Sequence, residues 1–94
     1  GVGRVAVVGV GPRGSQSPVA VIETVPPAAK PHVAPADLAE RVRATIDFAT
    51  GLAVSAVLVI PEQPTDIRHN SKIDRAELSD WAEQALATGK MSAL

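Results

Sequence analysis

A proline-rich stretch limits the fold of this chain more than any other feature. Residues 26–35 hold four of the eight prolines in the 94-residue sequence. Proline has a fixed φ and no backbone N–H, so this stretch can form neither a regular helix nor a central strand. We predict an extended connector. It separates a segment with strand-like patterning from one in which the hydrophobic period becomes helical.

Two strands are predicted before the connector. Residues 4–10 are apolar and largely β-branched and lie between glycines, which predicts a buried strand. Residues 18–25 predict a second strand. The seven-residue link between them is rich in Gly, Pro and Ser, so it is a turn or loop that favours an antiparallel hairpin.

A helix, a third strand and a polar loop are predicted after the connector. The helical period begins at Asp37 and ends at Gly51. Its apolar face comprises Leu38, Val42, Ile46 and Ala49. Residues 54–60 are almost purely apolar, so this strand is expected to be covered on both faces. Residues 61–71 form a polar loop with two prolines.

A second helix is predicted from Asp74 to Gly89. Asp74 and Glu77 have the spacing of a capping box, with Asp in place of Ser or Thr. The predicted buried face comprises Leu78, Trp81, Ala82, Ala85 and Leu86. The element order is therefore β-β-α-β-α. We predict one α+β domain with a small three-stranded sheet, made of the hairpin and one further strand, and two helices packed on it.

Composition excludes several classes of protein. The sequence has no cysteine, which excludes a disulfide scaffold and a cysteine-ligated metal site, and two histidines without cysteine make a zinc site unexpected. A net charge of −1 argues against a nucleic-acid binder. The longest apolar runs, residues 5–10 and 53–60, are far shorter than a membrane span. We therefore expect no metal site, no nucleic-acid partner and no membrane span.

Three other patterns have simple structural interpretations. Residues 9–14 match G-x-G-x-x-G, but a strand rather than a helix follows, so a turn is predicted instead of a nucleotide site. His32 is expected to be a solvated loop residue. The acidic residues beside the apolar helix faces are expected to be solvated; these are Asp37, Glu40, Asp47, Glu77, Asp80 and Glu83.

The sequence between the third strand and the second helix carries the strongest functional signal. We call residues 64–75 the lysine loop. Its polar and cationic residues are Arg68, His69, Asn70, Ser71, Lys72 and Arg75. Such a group can bind a phosphate or carboxylate, although most charge runs are only solvated surface. A buried strand before the loop and a capped helix after it favour a functional role.

Nearly the whole chain, including the lysine loop, resembles the C-terminal subdomain of the adenylate-forming superfamily, which includes acyl-CoA and aryl-CoA synthetases. Residues 3–11 resemble its x-V-A-x-A-A-V-V-G-V-P stretch, and residues 18–22 resemble its V-P-V-A-F-V strand. Residues 57–61 resemble the strand before its lysine loop. The loop itself resembles the family pattern P-x-T-x-S/T-G-K-I/V/L-x-R, and the order of elements agrees.

The resemblance implies a role for each residue of the loop. Lys72 would be the catalytic lysine, contacting the acyl carboxylate and the α-phosphate of ATP during adenylation. Arg75 matches the trailing arginine of the pattern, and Arg68, His69, Asn70 and Ser71 are candidate substrate- or nucleotide-binding residues. ATP and Mg would be bound mainly by an N-terminal adenylation domain, which would be the partner of this chain. The carboxylic acid would be the substrate, with CoA as the expected co-substrate. We also expect a cytoplasmic location.

Two departures from the common pattern point to a subgroup. Ser71 stands where the family pattern usually has glycine. Pro64 lies two residues further from Lys72 than the proline of the family pattern lies from its lysine. The form R-H-N-A/S-K-I-x-R resembles a subgroup that includes fatty-acid–CoA ligase-like proteins and the β-lactone synthetases of long-chain olefin biosynthesis. The main prediction is a long-chain fatty acid–CoA ligase-like enzyme. The alternatives are a β-lactone synthetase acting on 3-hydroxy acids and a stand-alone anion-binding module.

The hinge motif and the first helix of the family's subdomain are missing from residues 1–94. The chain also begins at Gly1 rather than Met, so we expect it to be part of a longer polypeptide. The resemblance implies that most of the ATP pocket lies in the N-terminal domain. We therefore expect the isolated chain to be catalytically inactive.

Overall fold

The computed structural model describes residues 1–12, 14–63 and 74–91. Their elements are, in chain order, strands β1 (Val2–Val10), β2 (Ser17–Thr24) and β3 (His32–Val33), helix α1 (Ala36–Thr50), strand β4 (Ala56–Val59) and helix α2 (Arg75–Thr88). This α+β arrangement confirms both helices and the three predicted strands.

The four strands form one mixed sheet in the order β1-β2-β4-β3. β1 and β2 pair antiparallel, which confirms the predicted hairpin. β4 pairs parallel with β2 and antiparallel with β3. β2 and β4 are parallel neighbours, so the chain between them has to cross back over the sheet, and α1 lies in that crossover.

The prediction of three strands was wrong, because the connector contributes β3. His32 and Val33 pair with Val59 and Leu58, and the N–H of Ala34 donates to the carbonyl of Val57 (3.0 Å). The prolines still keep this segment out of the middle of the sheet, since β3 is an edge strand. Two residues are too few to show a strand period in the sequence.

Alternate residues of the central strands face opposite sides of the sheet and form two apolar layers. Val19 and Val21 of β2 lie in the layer that also contains α2, whereas Ala20 and Ile22 lie in the layer that contains α1. β4 divides its side chains in the same way, and its residues 57–59 are all buried. The expectation that this strand is covered on both faces is confirmed.

Strand β1 is less buried than its sequence predicts. Ala6 and Val8 are buried against the layer that contains α2, but Val5 is 40% exposed. β1 is an edge strand, and on its other face Val7 is only partly buried against the layer that contains α1. An apolar run therefore did not distinguish a strand buried on both faces from an edge strand buried on one.

Each helix ends where the sequence predicts. Gly51 and Gly89 follow α1 and α2 with φ of 76° and 73°, the left-handed conformation that glycine adopts without a steric cost. The buried residues of α1 are Ala39, Val42 and Ile46, and those of α2 are Leu78, Trp81, Ala82 and Ala85. Ala49 and Leu86, both expected on the buried faces, are exposed because they lie at the margins of the apolar stripes.

No helix within residues 1–12, 14–63 and 74–91 has the length and apolar character required to cross a membrane.

The two aromatic residues have different environments: Trp81 is buried and Phe48 is exposed on α1. The apolar layers are therefore built mostly from Val, Leu, Ile and Ala, as the composition predicts.

Candidate functional site

The centre of the predicted site lies outside the described residues. Residues 64–73 belong to that part of the chain, so the roles of Arg68, His69, Asn70, Ser71 and Lys72 stay predictions. The structure does describe the residues on either side of this segment. They are Gln63 before it and Asp74 and Arg75 after it.

Gln63 is buried immediately before the lysine loop, with only 2% of its surface exposed. Its side-chain Nε2 donates to the carbonyl oxygen of Val21 on β2 (2.9 Å). Its backbone N–H donates to Oε2 of Glu23, also on β2 (2.7 Å). Main chain and side chain of one residue are thus both fixed to the same strand.

Glu23 connects this end of the loop to β1. Its carboxylate accepts hydrogen bonds from Nε (3.2 Å) and Nη2 (2.7 Å) of Arg4, a two-point contact that sets the orientation of both side chains. Arg4 and Glu23 form the ion pair between the two strands of the hairpin. The same carboxylate oxygen, Oε2, serves both Arg4 and the N–H of Gln63.

The charged state of Glu23 is favoured in this environment. Partial burial tends to raise its pKa, but the hydrogen bonds from Arg4 and Gln63 and the positive charge of Arg4 together lower the pKa below its usual value. The pKa of Arg4 is raised, chiefly by its hydrogen bond to Glu23. The pair is therefore ionised near neutral pH.

The other end of the loop is fixed by α2. Oδ1 of Asp74 accepts from the N–H of Glu77 (3.1 Å), which confirms the predicted capping role of Asp74. Nη1 of Arg75 donates to the carbonyl of Val7 on β1 (2.8 Å), and one turn later the hydroxyl of Ser79 donates to the carbonyl of Gly9. Arg75 has a structural contact, while its predicted nucleotide-binding role stays a prediction.

Three residues at the ends of the loop were missed by the sequence analysis: Arg4, Glu23 and Gln63. One signal was available, because Glu23 is the single charged residue in the apolar run of residues 18–25. A lone charge in a central strand needs a partner. The sequence does not reveal that the partner is Arg4, 19 positions away, or that Gln63 joins them from 40 positions away.

The other candidate motifs have the structural roles that were predicted for them. The glycines of residues 9–14 belong to the β1–β2 connection, where the N–H of Ser15 donates to the carbonyl of Pro12 (3.0 Å) and strand β2 follows. His32 is exposed, as expected, although it belongs to β3. The six acidic helix residues named above are all exposed. Within the described ranges, no group of three His, Cys, Asp or Glu residues is arranged to hold a metal ion.

A separate apolar groove of about 460 Å³ lies between β1 and α1. Its lining consists of Val2, Val5, Val7, Arg41, Val42, Thr45, Ile46, Ala49 and Thr50. Of the described residues that fix the ends of the lysine loop, Val7 lines this groove: its carbonyl accepts from Arg75, while its side chain packs against the layer that contains α1. Arg4, Glu23, Gln63, Asp74 and Arg75 do not line the groove, which is therefore largely separate from the candidate site.

Comparison with known proteins found two relatives that share a name. The chain is 42% identical over 87 residues to an olefin beta-lactone synthetase of Stenotrophomonas maltophilia (strain K279a), an alignment that covers 92% of this chain and 15% of that protein. It is 42% identical over 82 residues to an olefin beta-lactone synthetase of Xanthomonas campestris pv. campestris, covering 86% and 14%. No family model and no solved structure matches the chain.

The chain spans about one seventh of the length of these two relatives. Both names fall in the subgroup that the R-H-N-S-K-I form of the lysine loop resembles. The similarity thus supports a relationship to that subgroup of adenylate-forming enzymes.

Proposed function

We propose that this chain is the C-terminal subdomain of an adenylate-forming enzyme that converts a 3-hydroxy acid to a β-lactone. One observation carries the proposal: 42% identity to an olefin beta-lactone synthetase extends over 92% of the chain. The resemblance of the lysine loop, which lies within the aligned residues, to the adenylation motif supports the adenylation step. In this proposal residues 1–94 act as a lid that brings Lys72 to the active site of an N-terminal domain.

The first step of the proposed reaction is adenylation. A carboxylate oxygen of the substrate attacks the α-phosphorus of ATP, pyrophosphate leaves, and an acyl-adenylate forms. Negative charge increases on the phosphoryl oxygens in the transition state, and the ammonium group of Lys72 neutralises part of it. A positioned cation of this kind accelerates the reaction because it binds the transition state more strongly than the substrate.

The second step distinguishes a β-lactone synthetase from other adenylate-forming enzymes. The 3-hydroxyl oxygen of the acyl-adenylate attacks the acyl carbonyl, its proton is lost, and AMP leaves as the four-membered ring closes. No CoA is consumed. ATP and Mg are assigned to the N-terminal domain, and no step is assigned to a metal held by the described residues, which lack a suitable group of ligands.

Substitution of Lys72 tests its catalytic role. In the complete enzyme, Lys72→Ala should lower the rate of carboxylate-dependent ATP–pyrophosphate exchange by about 10²–10³-fold, the loss typical of one transition-state contact. ATP binding should change little. Lys90→Ala removes a lysine just beyond α2 and serves as the matched control. Exchange at the wild-type rate by Lys72→Ala would show that Lys72 is not the catalytic lysine.

Isolated residues 1–94 should show no carboxylate-dependent ATP–pyrophosphate exchange, because the proposal places the ATP and acyl sites in the N-terminal domain. Measurable exchange by the isolated chain would refute that assignment.

A long-chain fatty acid–CoA ligase-like enzyme is the second candidate. The similarity of the lysine loop and of residues 57–61 to acyl-CoA synthetases favours it. Incubation of the complete enzyme with ATP and a long-chain 3-hydroxy acid, with and without CoA, separates the candidates. A β-lactone formed without CoA supports the synthetase, whereas a thioester formed only with CoA supports the ligase.

A further inference from the structure

We propose that the apolar groove between β1 and α1 binds a single-chain aliphatic carboxylate. The alkyl chain lies along the groove and the carboxylate pairs with Arg41. The site goes beyond the proposed function, because it is separate from the acyl site that the proposed function places in the N-terminal domain. It uses only described residues and does not depend on the catalytic role of Lys72.

The groove is open because one helix is too narrow to cover this face of the sheet. Four strands about 4.8 Å apart place the outer two about 14 Å apart, whereas a helix with its side chains is about 10–12 Å across. The buried residues of α1 cluster with residues of β2 and β4, and β1 adds only the partly buried Val7. Val2 and Val5 of β1 are therefore 42% and 40% exposed.

The lining of the groove favours an apolar ligand. Six of its nine described residues are valine, isoleucine or alanine. The two threonines donate their hydroxyl protons within α1, Thr45 to the carbonyl of Arg41 (2.9 Å) and Thr50 to that of Ile46 (2.7 Å), so they do not need a polar ligand. Phe48 is 95% exposed three positions after Thr45 and extends the apolar surface on that side of α1. Contiguous exposed apolar surface is typical of a binding site.

Arg41 is the one charged residue in the described lining and favours an anionic head group. No described residue accepts a hydrogen bond from its guanidinium or forms an ion pair with it, and this includes Asp37, one turn earlier on α1. A guanidinium offers parallel N–H groups that match a carboxylate. One cation beside an apolar lining thus complements a ligand with one anionic end. The other described arginines each have an acceptor; these are Arg4, Arg43 and Arg75.

The groove has the length of a chain of about twelve carbons. β1 rises about 3.3 Å per residue, so Val2 and Val7 are about 16 Å apart. At about 1.5 Å per residue, α1 extends about 14 Å from Arg41 to Thr50. An extended carbon chain advances about 1.2 Å per bond, so about twelve carbons span this length. The volume of about 460 Å³ is within the range of small-molecule sites, about 300–1,000 Å³.

Titration calorimetry of the 94-residue chain with sodium octanoate, decanoate and dodecanoate, each below its critical micelle concentration, tests the site. We expect one carboxylate to bind per chain. Each methylene that enters the open groove should lower Kd about two- to fourfold, so dodecanoate should bind about 16- to 250-fold more tightly than octanoate. Dodecyltrimethylammonium has the same chain with a cationic head group and should bind more weakly than dodecanoate.

Two variants assign the alkyl chain and the head group to their contacts. Val5→Asn places a polar group in the groove and should weaken dodecanoate binding about tenfold. Val33→Asn, at an exposed strand position outside the groove, is the matched control. Arg41→Gln should weaken dodecanoate binding about five- to tenfold and leave the affinity for 1-decanol unchanged. Lys90→Gln, just beyond α2, is the control for the loss of a positive charge.

Four results would overturn the proposal. The first is the absence of saturable dodecanoate binding up to about 1 mM. The second is equal affinity for octanoate and dodecanoate. The third is wild-type affinity in Val5→Asn, with thermal unfolding measured in parallel to show that this variant is folded. The fourth is wild-type affinity in Arg41→Gln, which changes an exposed helix position.

Other occupants of the groove give different results, and each of them would also contradict the proposal. Sedimentation that depends on chain concentration and is abolished by Val5→Asn would mean that a second copy covers the groove. Dodecanoate binding by residues 1–94 but not by the complete enzyme would mean that another part of the polypeptide covers it. Cosedimentation with phosphatidylglycerol vesicles, abolished by Val5→Asn and without binding of free dodecanoate, would mean that it contacts a membrane surface.

Discussion

The Glu23 carboxylate holds three parts of the molecule together. It accepts two hydrogen bonds from Arg4 on β1 and one from the main chain of Gln63 at the start of the lysine loop, while belonging to β2 itself. Exposed ion pairs usually contribute little to stability. This pair differs because the same carboxylate also satisfies a backbone N–H that enters a loop. The Glu23 carboxylate therefore holds the main chain at Gln63 in addition to pairing with Arg4.

Glu23 should make the stability of the domain depend on pH under acidic conditions. Its folded-state pKa lies below the ordinary value of 4.5, so its contribution is fully present above the pKa of the unfolded chain and is lost as pH falls through the folded-state pKa. Urea unfolding from about pH 7 to about pH 3 should show the free energy of unfolding decreasing in this lower window.

Two variants separate the contribution of Glu23 from that of other groups. Glu23→Gln cannot titrate and should give a shallower decrease with falling pH. Arg4→Gln keeps the carboxylate but removes its main hydrogen-bond donor, and should give an intermediate slope. Curves for Glu23→Gln and the wild type that differ only by a constant would contradict the assignment.

Helix α2 is the element that fixes the far end of the lysine loop. Arg75 and Ser79 lie one turn apart on α2 and donate to the carbonyls of Val7 and Gly9, which lie two positions apart on β1. Carbonyl groups of alternate strand residues point to the same side of the strand. Since β1 is an edge strand, these side chains also occupy backbone groups through which another chain could pair.

The N-terminus of α2 should depend on the cap at Asp74. Asp74→Ala removes the acceptor for the N–H of Glu77 and should lower the free energy of unfolding by about 1 kcal/mol. Asp74→Asn keeps an acceptor and should recover most of that loss. Urea unfolding at neutral pH measures both, and equal stabilities for Asp74→Ala and the wild type would contradict the capping role.

The whole domain consists of one thin sheet with an apolar layer on each face. Each layer contains one helix, and the central strands β2 and β4 supply side chains to both layers. A domain of this size has a free energy of unfolding of about 5–15 kcal/mol, which single core substitutions reduce substantially. The sheet therefore couples α1, α2 and the ends of the lysine loop.

Leu58 and Leu86 provide a matched test of this architecture. Leu58 is fully buried on β4, and Leu58→Ala should destabilise the domain by about 2–5 kcal/mol. Leu86 is 44% exposed on α2, and Leu86→Ala should change stability by about 0.5 kcal/mol or less. Denaturant unfolding measures both, and similar losses would mean that the two layers are not arranged as described.

The sequence by itself determined the features that depend on neighbouring residues. The fixed φ of proline marked the connector, the glycines marked the ends of both helices, and Asp74 marked the start of α2. The alternation or continuity of apolar residues identified three strands and two helices. These signals are local, because they record which backbone conformations a few adjacent residues favour.

The tertiary structure alone decided the features that join distant residues. Strand β3 exists through its pairing with β4, β1 is exposed on part of one face because it lies at the sheet edge, and Leu86 lies outside the buried stripe. Gln63 reaches Val21 and Glu23, and Arg75 reaches Val7 across 68 positions. Residue identity shows that such polar groups need partners, but only the packing of strands and helices determines which partners they meet.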